Sequence, residues 1–342
     1  MRALQLVGHG VPGRFEVREV ETPIPGDGEV RVAVRACGLN RLDLWLEEAG
    51  LPIPVELPRI PGGEVSGVVD AVGAGVAEWR PGDRVAIQSN LFCGVCEFCV
   101  RGDESQCLAG KLLGVQCDGG FAEFCRVPGR ALVRLPDGVS FVDSAALTLA
   151  GSTAMHMLTD RCRVEPGQWV LVVGGASGVG SAAIQIALGL GGKVITTASS
   201  PEKRAFCEAL GAGHVVDAGE SDWPAKVRQI TGKRGVDVVV EHVGGQVLEQ
   251  VFHCLARGGT VVTCGATAGR EVRLQLWPLF VKQQRLVGSY GRTRRDMIQT
   301  LAWASEGRLK ASVDEVMSIE RGAEAFRRLR NREVRGKLVL QP

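Results

Sequence analysis

Four cysteines stand close together in the first third of the chain. Their spacing is C-x2-C-x2-C-x7-C, and the residues are Cys93, Cys96, Cys99 and Cys107. Random placement of the cysteines would produce such a quartet with a probability on the order of 10⁻⁴ to 10⁻³. Four thiolates suit tetrahedral Zn²⁺, and because they fill its coordination sphere the predicted zinc ion is structural. A four-iron cluster, also held by four cysteines, is the alternative.

A glycine-rich turn later in the chain predicts a second ligand site. The apolar run Trp169–Val173 leads into Gly-Gly-Ala-Ser-Gly-Val-Gly, residues 174–180, and apolar residues then recur at helical spacing. In such a strand–turn–helix unit the glycines let the backbone approach a pyrophosphate, and the helix N-terminus offers unpaired N–H groups. A dinucleotide site is predicted, although a serine replaces the middle glycine of G-x-G-x-x-G. The predicted contacts are Gly175, Ser177, Gly178 and Gly180.

The second strand of the same unit indicates which dinucleotide is bound. The segment 193–200 ends without the acidic residue that binds the ribose 2′-hydroxyl of NAD. Ser199 and Ser200 stand at its tip and Lys203 follows, and these groups suit the additional phosphate of NADPH. NADPH is therefore the predicted cofactor. The serines can also cap the next helix, which is compatible with that role.

Composition excludes several classes of protein. The chain has 342 residues, of which 45% are hydrophobic and 23% charged, with a net charge of +2. Such a small charge gives no sustained field for nucleic acid, and no apolar stretch is long enough to span a membrane. The N-terminus does not resemble a signal peptide, so a cytoplasmic protein is expected. In that compartment a disulfide framework is not expected, and the seven cysteines outside the quartet are predicted to be buried.

The arrangement of apolar runs predicts two kinds of domain. Up to about Val139, short β-branched runs are separated by Gly and Pro, which is typical of an antiparallel, barrel-like domain. From about Phe141, short apolar runs alternate with helical stretches, which indicates parallel βαβ units. The predicted fold class is therefore α/β, with a doubly wound parallel sheet beside a β-barrel domain.

The order of these parts resembles the medium-chain dehydrogenase/reductase superfamily, which includes zinc alcohol dehydrogenases and zinc-free quinone reductases. PGGEVSGVVDAVGAGV and PGDRV precede the cysteine quartet, the glycine loop comes later, and the chain closes with RGKLVLQP. The resemblance implies a GroES-like catalytic domain over residues 1–145 with a zinc lobe at 90–110, a Rossmann domain over 146–284, and a return segment over 285–342. It further implies cofactor contacts at Thr153, Val179 and Gly265, with Lys337 reaching the pyrophosphate.

The same resemblance predicts that no catalytic metal is bound. Zinc alcohol dehydrogenases hold that metal through three side chains, and the matching positions here are Asn40, Gly63 and Leu149. Gly and Leu offer no ligand atom in their side chains, and Asn is a poor Zn²⁺ ligand. Asn40 in Gly-Leu-Asn, the loop GGASGVG and LAGSTAM are similar to the quinone-reductase branch. That branch usually lacks the cysteine lobe, so this chain combines features of both groups.

Without a Lewis acid, reduction of an activated C=C bond or a quinone is easier than oxidation of a simple alcohol. The predicted function is therefore an NADPH-dependent reductase acting on a small molecule. The amide of Asn40 is the predicted donor to the developing oxyanion, and His156 is the candidate proton donor. Two alternatives remain open at this point: an alcohol or aldehyde dehydrogenase, and a catalytically silent NADPH-binding sensor or structural protein. The resemblance also suggests a homodimer or homotetramer.

Overall fold

The protein is described by a computed structural model that covers residues 1–342, and the chain divides into two compact units. The first unit comprises Met1–Ser152, Arg292–Gly307 and Ala311–Pro342. The second unit comprises Thr153–Gly291 and Arg308–Lys310. The divisions lie a few residues after those predicted at 145/146 and 284/285.

The first unit begins with nine strands and four helices. The strands are β1 (Arg2–Gly8), β2 (Arg14–Glu19), β3 (Glu29–Gly38), β4 (Glu64–Val72), β5 (Arg84–Ile87), β6 (Asn90–Leu91), β7 (Lys111–Leu112), β8 (Phe124–Pro128) and β9 (Leu132–Arg134). The helices are α1 (Arg41–Glu47), α2 (Glu97–Val100), α3 (Phe141–Leu147) and α4 (Ala150–His156), the last of which crosses into the second unit.

The second unit alternates strands with helices. Its strands are β10 (Trp169–Val172), β11 (Lys193–Ala198), β12 (His214–Asp217), β13 (Val236–Glu241), β14 (Leu255–Thr263) and β15 (Arg285–Gly288). Its helices are α5 (Gly178–Gly189), α6 (Pro201–Ala209), α7 (Trp223–Ile230), α8 (Gly245–Val251) and α9 (Leu276–Val281). The chain then returns to the first unit with α10 (Arg294–Ser305), β16 (Val313–Ser318), α11 (Gly322–Arg330) and β17 (Lys337–Gln341).

A seven-stranded sheet organises the first unit. Its order is β16-β17-β3-β4-β5-β9, with β8 also paired to β3, and all pairs except β16–β17 are antiparallel. Along β3 every second residue from Val30 to Val34 is buried, as expected for a strand with one face on a core. Phe121 and Phe326 pack in that core with their ring centroids 6.1 Å apart. The predicted barrel-like domain is confirmed.

The second unit is built on a six-stranded parallel sheet of order β12-β11-β10-β13-β14-β15. Val170, Leu171 and Val172 of β10 are fully buried, as expected for a central strand covered on both faces. The strand order reverses between β10 and β13, which is the place where doubly wound sheets bind ligands at their carboxyl edge. The predicted Rossmann fold is confirmed. None of the helices combines the length and apolar character needed to cross a bilayer.

Candidate functional site

The four cysteines of the quartet converge in the first unit. Their sulfur atoms all lie within 4.8 Å of one another, and the Sγ atoms of Cys96 and Cys99 are 3.5 Å apart. Four sulfurs bound tetrahedrally to one zinc ion stand about 3.8 Å from each other. A four-iron cluster places each thiolate on a different iron, which needs a wider spacing. The geometry therefore fits a single ion such as Zn²⁺.

Backbone amides prepare these thiols for metal binding. The N–H groups of Val95 and Cys96 point at the sulfur of Cys93, at 3.4 and 3.3 Å, and they lower the pKa of that thiol. Hydrogen bonds from the N–H groups of Cys99 and Leu108 lower the pKa of Cys96 to about 6. Since the thiolate is the form that binds metal, these amides favour the ligating state of Cys93 and Cys96. Burial instead raises the pKa of Cys99 to about 12.

The other seven cysteines are all free thiols. Cys37, Cys125, Cys207 and Cys254 are buried, and Cys117, Cys162 and Cys264 are partly buried. Burial raises the pKa of several of them, including Cys207 and Cys254 to about 12. These groups therefore remain neutral thiols at physiological pH, as expected for small apolar residues.

The glycine loop leads from β10 into α5. A Cβ on Gly175 would lie 2.1 Å from Thr196 Oγ1, so only glycine allows the loop to pack on β11. Ser177 is the N-cap of α5, and its hydroxyl accepts a hydrogen bond from the Gly180 amide at 2.9 Å. The amides of Gly178 and Val179 have no acceptor inside the helix because they begin it. This loop fits the pyrophosphate of a dinucleotide.

The residues predicted to recognise the 2′-phosphate lie around the start of α6. Ser200 is the N-cap of this helix and accepts a hydrogen bond from the Lys203 amide at 3.3 Å, while Ser199 is exposed at the end of β11. Arg204 pairs with Asp217 of β12 at 2.5 Å, so its guanidinium is already committed to a carboxylate. Lys203 stands on the first turn of the same helix and is the cation predicted for a phosphate at this strand tip.

A buried carboxylate lies next to Asn40, Gly63 and Leu149, the three positions that match the metal ligands of zinc alcohol dehydrogenases. Glu64 begins β4 and is fully buried. Its Oε1 accepts hydrogen bonds from the amides of Leu149 at 2.5 Å and Ala150 at 3.1 Å. Its Oε2 accepts a hydrogen bond from Asn40 Nδ2 at 2.9 Å and lies 2.7 Å from Lys337 Nζ. We call Asn40, Glu64 and Lys337 the polar triad.

The prediction that Lys337 reaches the pyrophosphate stays a prediction, and the structure gives the side chain other partners. Lys337 is buried at the start of β17, and its ammonium donates to Leu39 O and Asn40 Oδ1, each at 2.6 Å, besides pairing with Glu64. These three partners use all three N–H donors of a lysine. The side chain therefore serves the polar triad within the first unit.

The role predicted for Asn40 stays a prediction, and its side-chain amide already has two partners. Its amide donates to Glu64 at 2.9 Å and to Gly38 O at 3.2 Å, which occupies both N–H bonds. A substrate oxygen would therefore have to replace one of these acceptors. The Gly38 bond is the longer one, and Glu64 is a charged acceptor, so the Gly38 bond is the weaker of the two.

Asp43 braces this arrangement from α1. Its carboxylate accepts hydrogen bonds from the amides of Asn40 at 2.8 Å and Gly62 at 3.2 Å. Burial raises the pKa of Asp43 to about 6, although these amides and the charge of Lys337 oppose the shift. The carboxyl therefore changes charge close to neutral pH.

The remaining predicted residues lie in the second unit. Thr153 and His156 are buried on α4, and His156 Nε2 lies 3.9 Å from the Asp160 carboxylate. Gly265 follows β14, where a Cβ would lie 2.5 Å from His242 O. The cofactor roles of Thr153, Val179 and Gly265 and the catalytic role of His156 stay predictions.

Sequence reasoning missed two polar residues near these sites. His242 follows β13 directly, and its Nε2 lies 3.2 Å from Ser177 Oγ; a histidine after a buried strand was the signal available. Arg292 is buried in the first unit and donates to Ser89 Oγ and to Asn90 Oδ1. No sequence pattern connects Arg292 with Ser89, because the two are separated by 203 residues.

Comparison with known proteins agrees with this architecture. Residues 26–137 match the alcohol dehydrogenase GroES-like domain, and residues 178–306 match the zinc-binding dehydrogenase family. An alcohol dehydrogenase of Geobacillus stearothermophilus is 33% identical over 96% of each chain. Among solved structures, an NAD-dependent alcohol dehydrogenase has 40% identity and a TM-score of 0.96 over the full length of both chains. A variant of the crotonyl-CoA carboxylase/reductase AntE, solved with NADP, has 26% identity and a TM-score of 0.90, covering 100% of this chain and 94% of the other.

The chain therefore belongs to the medium-chain dehydrogenase/reductase superfamily. It is an oxidoreductase of that superfamily, with a cysteine lobe for structural zinc and a Rossmann unit for NAD(P).

Proposed function

We propose that this oxidoreductase transfers hydride from NADPH to an activated C=C bond or a quinone and uses no catalytic metal. The observation that carries the proposal is the chemistry of the residues at the three expected metal-ligand positions and of the polar triad beside them. At the positions where zinc alcohol dehydrogenases are expected to ligate their metal, this chain has Asn40, Gly63 and Leu149. The Leu149 amide and the Asn40 side chain both bind Glu64, whose charge is balanced by Lys337. These groups do not fit a catalytic zinc ion.

Bound NADPH supplies the hydride in this proposal. When hydride adds to the far carbon of a conjugated C=C bond, negative charge develops on the carbonyl oxygen, and a fixed donor nearby lowers the barrier. Asn40 is the proposed donor, after its amide exchanges Gly38 O for the substrate oxygen. Lys337 holds Asn40 Oδ1 at 2.6 Å and Glu64 holds Nδ2 at 2.9 Å, so the amide keeps its orientation.

Protonation of the α-carbon of the resulting enolate needs a separate acid. His156 is the proposed source, since an imidazole can carry a proton near neutral pH. Its Nε2 lies 3.9 Å from the Asp160 carboxylate.

The proposed cofactor preference rests on the end of β11. No carboxylate follows Ala198 there, Ser199 is exposed, and Lys203 lies on the first turn of α6. The complex of AntE with NADP is in keeping with this preference, whereas the NAD-dependent alcohol dehydrogenase is not. Direct comparison of NADPH and NADH binding decides between them.

An alcohol dehydrogenase is the second candidate, because the Geobacillus relative carries that name. Two measurements separate the candidates. We expect one zinc ion per chain, and stopped-flow oxidation of NADPH by enones, enoyl thioesters or quinones. Two zinc ions per chain, together with oxidation of simple alcohols, would establish the alternative. If none of these substrates oxidises NADPH, the result would instead favour a sensor.

A matched pair of variants tests the donor. Removal of one preorganised oxyanion donor lowers kcat about 10²- to 10³-fold, so Asn40→Ala should lower kcat by this factor while NADPH binding is retained. Asn331→Ala, at an exposed position after α11, is the control. Unchanged kcat in Asn40→Ala would remove this residue from the mechanism.

We also propose that the protein forms a homodimer through the second unit. β15 lies at the edge of the parallel sheet, and an unpaired edge can pair with the same edge of a second copy. Near it in the sequence, Trp277 and Phe280 of α9 are exposed and pack edge to face with their centroids 5.0 Å apart. Light scattering of the wild type and of Trp277→Glu tests this state, and a monomeric wild type would contradict it.

A further inference from the structure

His242 occupies the place in the second unit where the strand order reverses. It directly follows β13, which lies beside β10 in the sheet. The glycine loop leaves β10 at the same edge. His242 is partly exposed, so its ring remains accessible at the point where a doubly wound sheet meets its ligand.

The imidazole lies against the glycine loop. Nε2 is 3.2 Å from Ser177 Oγ, the hydroxyl that caps α5 through the Gly180 amide. A Cβ on Gly174 would come within 3.3 Å of the His242 Cε1 atom. The ring therefore lies beside the start of α5, where the amides of Gly178 and Val179 have no helical acceptor.

The backbone on both sides of His242 is held in place. Glu241 is fully buried, and its Oε1 accepts hydrogen bonds from the amides of Val243 and Gly244 at 2.5 and 2.7 Å. Thr263 donates to Glu241 Oε2 at 2.8 Å, and Thr267 donates to His242 O at 3.3 Å. Because these bonds fix the main chain on both sides of His242, they also fix the position of its ring at the edge of the sheet.

We propose that His242 is a cofactor-binding residue that takes up a proton when the pyrophosphate of the dinucleotide binds at the start of α5. The proposal rests on the dinucleotide site of the proposed function and adds a residue and a pH dependence to it. In the free protein, the partial positive charge of the helix N-terminus disfavours an imidazolium. A bound pyrophosphate brings negative charge and reverses this balance.

The other titratable groups on the segments around His242 do not change charge in the same range. Glu241 is directed at backbone amides and at Thr263. Burial, followed by the charge of Glu241, raises the pKa of Cys264 to about 12. The glycine loop, residues 174–180, contains no titratable side chain. An ordinary histidine titrates at about pH 6.5, so His242 is the group expected to respond between pH 6 and 8.

Titration calorimetry of NADPH and NADH binding at pH 6, 7 and 8 tests the proposal, in buffers of different ionisation enthalpy. We expect the wild type to take up about half a proton near pH 7, and its Kd to rise about tenfold from pH 6 to pH 8. His242→Asn should lose both effects. The 2′-phosphate of NADPH can also take up protons, but it does so in both proteins. Subtracting the proton uptake of His242→Asn from that of the wild type therefore cancels this contribution. His253→Asn, at an exposed position in the same unit, should behave like the wild type.

Three results would overturn the proposal. The first is wild-type binding of NADH without proton uptake, since NADH has no group of its own that titrates in this range. The second is equal proton uptake in wild type and His242→Asn. The third is an unchanged Kd profile in His242→Gln, the variant to use if His242→Asn does not fold. A wild type that binds neither dinucleotide would instead contradict the proposed function on which the inference rests.

Discussion

The ammonium of Lys337 lies 2.7 Å from the carboxylate of Glu64, and only 4% of the lysine side chain and none of the glutamate side chain is exposed. The two residues begin strands β17 and β4, which both pair with the end of β3 at Gly38. Asn40 follows that strand end and binds both charges. A buried ion pair thus orients the amide that the proposed reaction uses.

Truncation of Lys337 should destabilise the fold strongly. Lys337→Met leaves the Glu64 charge buried without its ammonium, and removal of one partner of a buried pair costs about 3 to 5 kcal/mol. Urea unfolding measures this loss. Glu64→Gln in the same chain should recover part of it, because the uncompensated charge is then gone.

The control is a surface arginine. Arg321 is exposed and lies 2.8 Å from Glu324 and 2.7 Å from Glu315, and each such surface pair contributes about 0 to 1 kcal/mol. Arg321→Met should therefore change the free energy of unfolding little. A similar small effect from Lys337→Met would show that Glu64 is not charged in the folded protein.

Asp43 should make stability depend on pH. Its pKa is about 6 in the folded chain, whereas an unfolded Asp titrates at about 3.9. Between these values the folded state binds more protons, so the free energy of unfolding falls as pH rises from 4 to 7, by about 3 kcal/mol from this group. The difference in unfolding free energy between wild type and Asp43→Asn should fall by that amount. For Asp27→Asn, at an exposed position, the difference should stay constant.

The parts of the site that sequence patterns predicted are local. Cys93, Cys96 and Cys99 lie within seven residues, so their spacing alone brings the sulfur atoms together. The loop before α5 is likewise continuous with its strand and helix. The polar triad could not be predicted in this way, since Asn40 and Lys337 are 297 residues apart. Their contact depends on the pairing of β17 with β3.

Strand β12 shows a second limit. It was absent from the predicted alternation, because it has only four residues and is polar at both ends, with His214 and Asp217. Its pairing with β11 nevertheless places Asp217 opposite Ala198 and within reach of Arg204. The pair of Arg204 and Asp217 could not be predicted, because the strand that supplies the carboxylate was not recognised.

Lys203 should distinguish the two nicotinamide cofactors. A hydrogen bond to a charged group contributes about 1.5 to 3 kcal/mol, so Lys203→Ala should weaken NADPH binding about tenfold or more and leave NADH binding unchanged. Ser199→Asp should shift the preference toward NADH, since a carboxylate repels the additional phosphate. Lys226→Ala is the control, because that lysine pairs with Glu220. Tighter binding of NADH than of NADPH by the wild type would contradict the assignment.

Loss of one thiolate should release the zinc ion and loosen the cysteine lobe. In Cys96→Ser, we expect the zinc content measured by elemental analysis to fall from about one ion per chain to well below one, because the closed site needs all four sulfurs. Arg101 is exposed inside the lobe, so trypsin should cleave there faster once the metal no longer ties Cys93 to Cys107. Cys162→Ser, at a free thiol of the second unit, should keep both the zinc and the resistance to trypsin. Bound iron in the wild type, or full zinc content in Cys96→Ser, would contradict the zinc assignment.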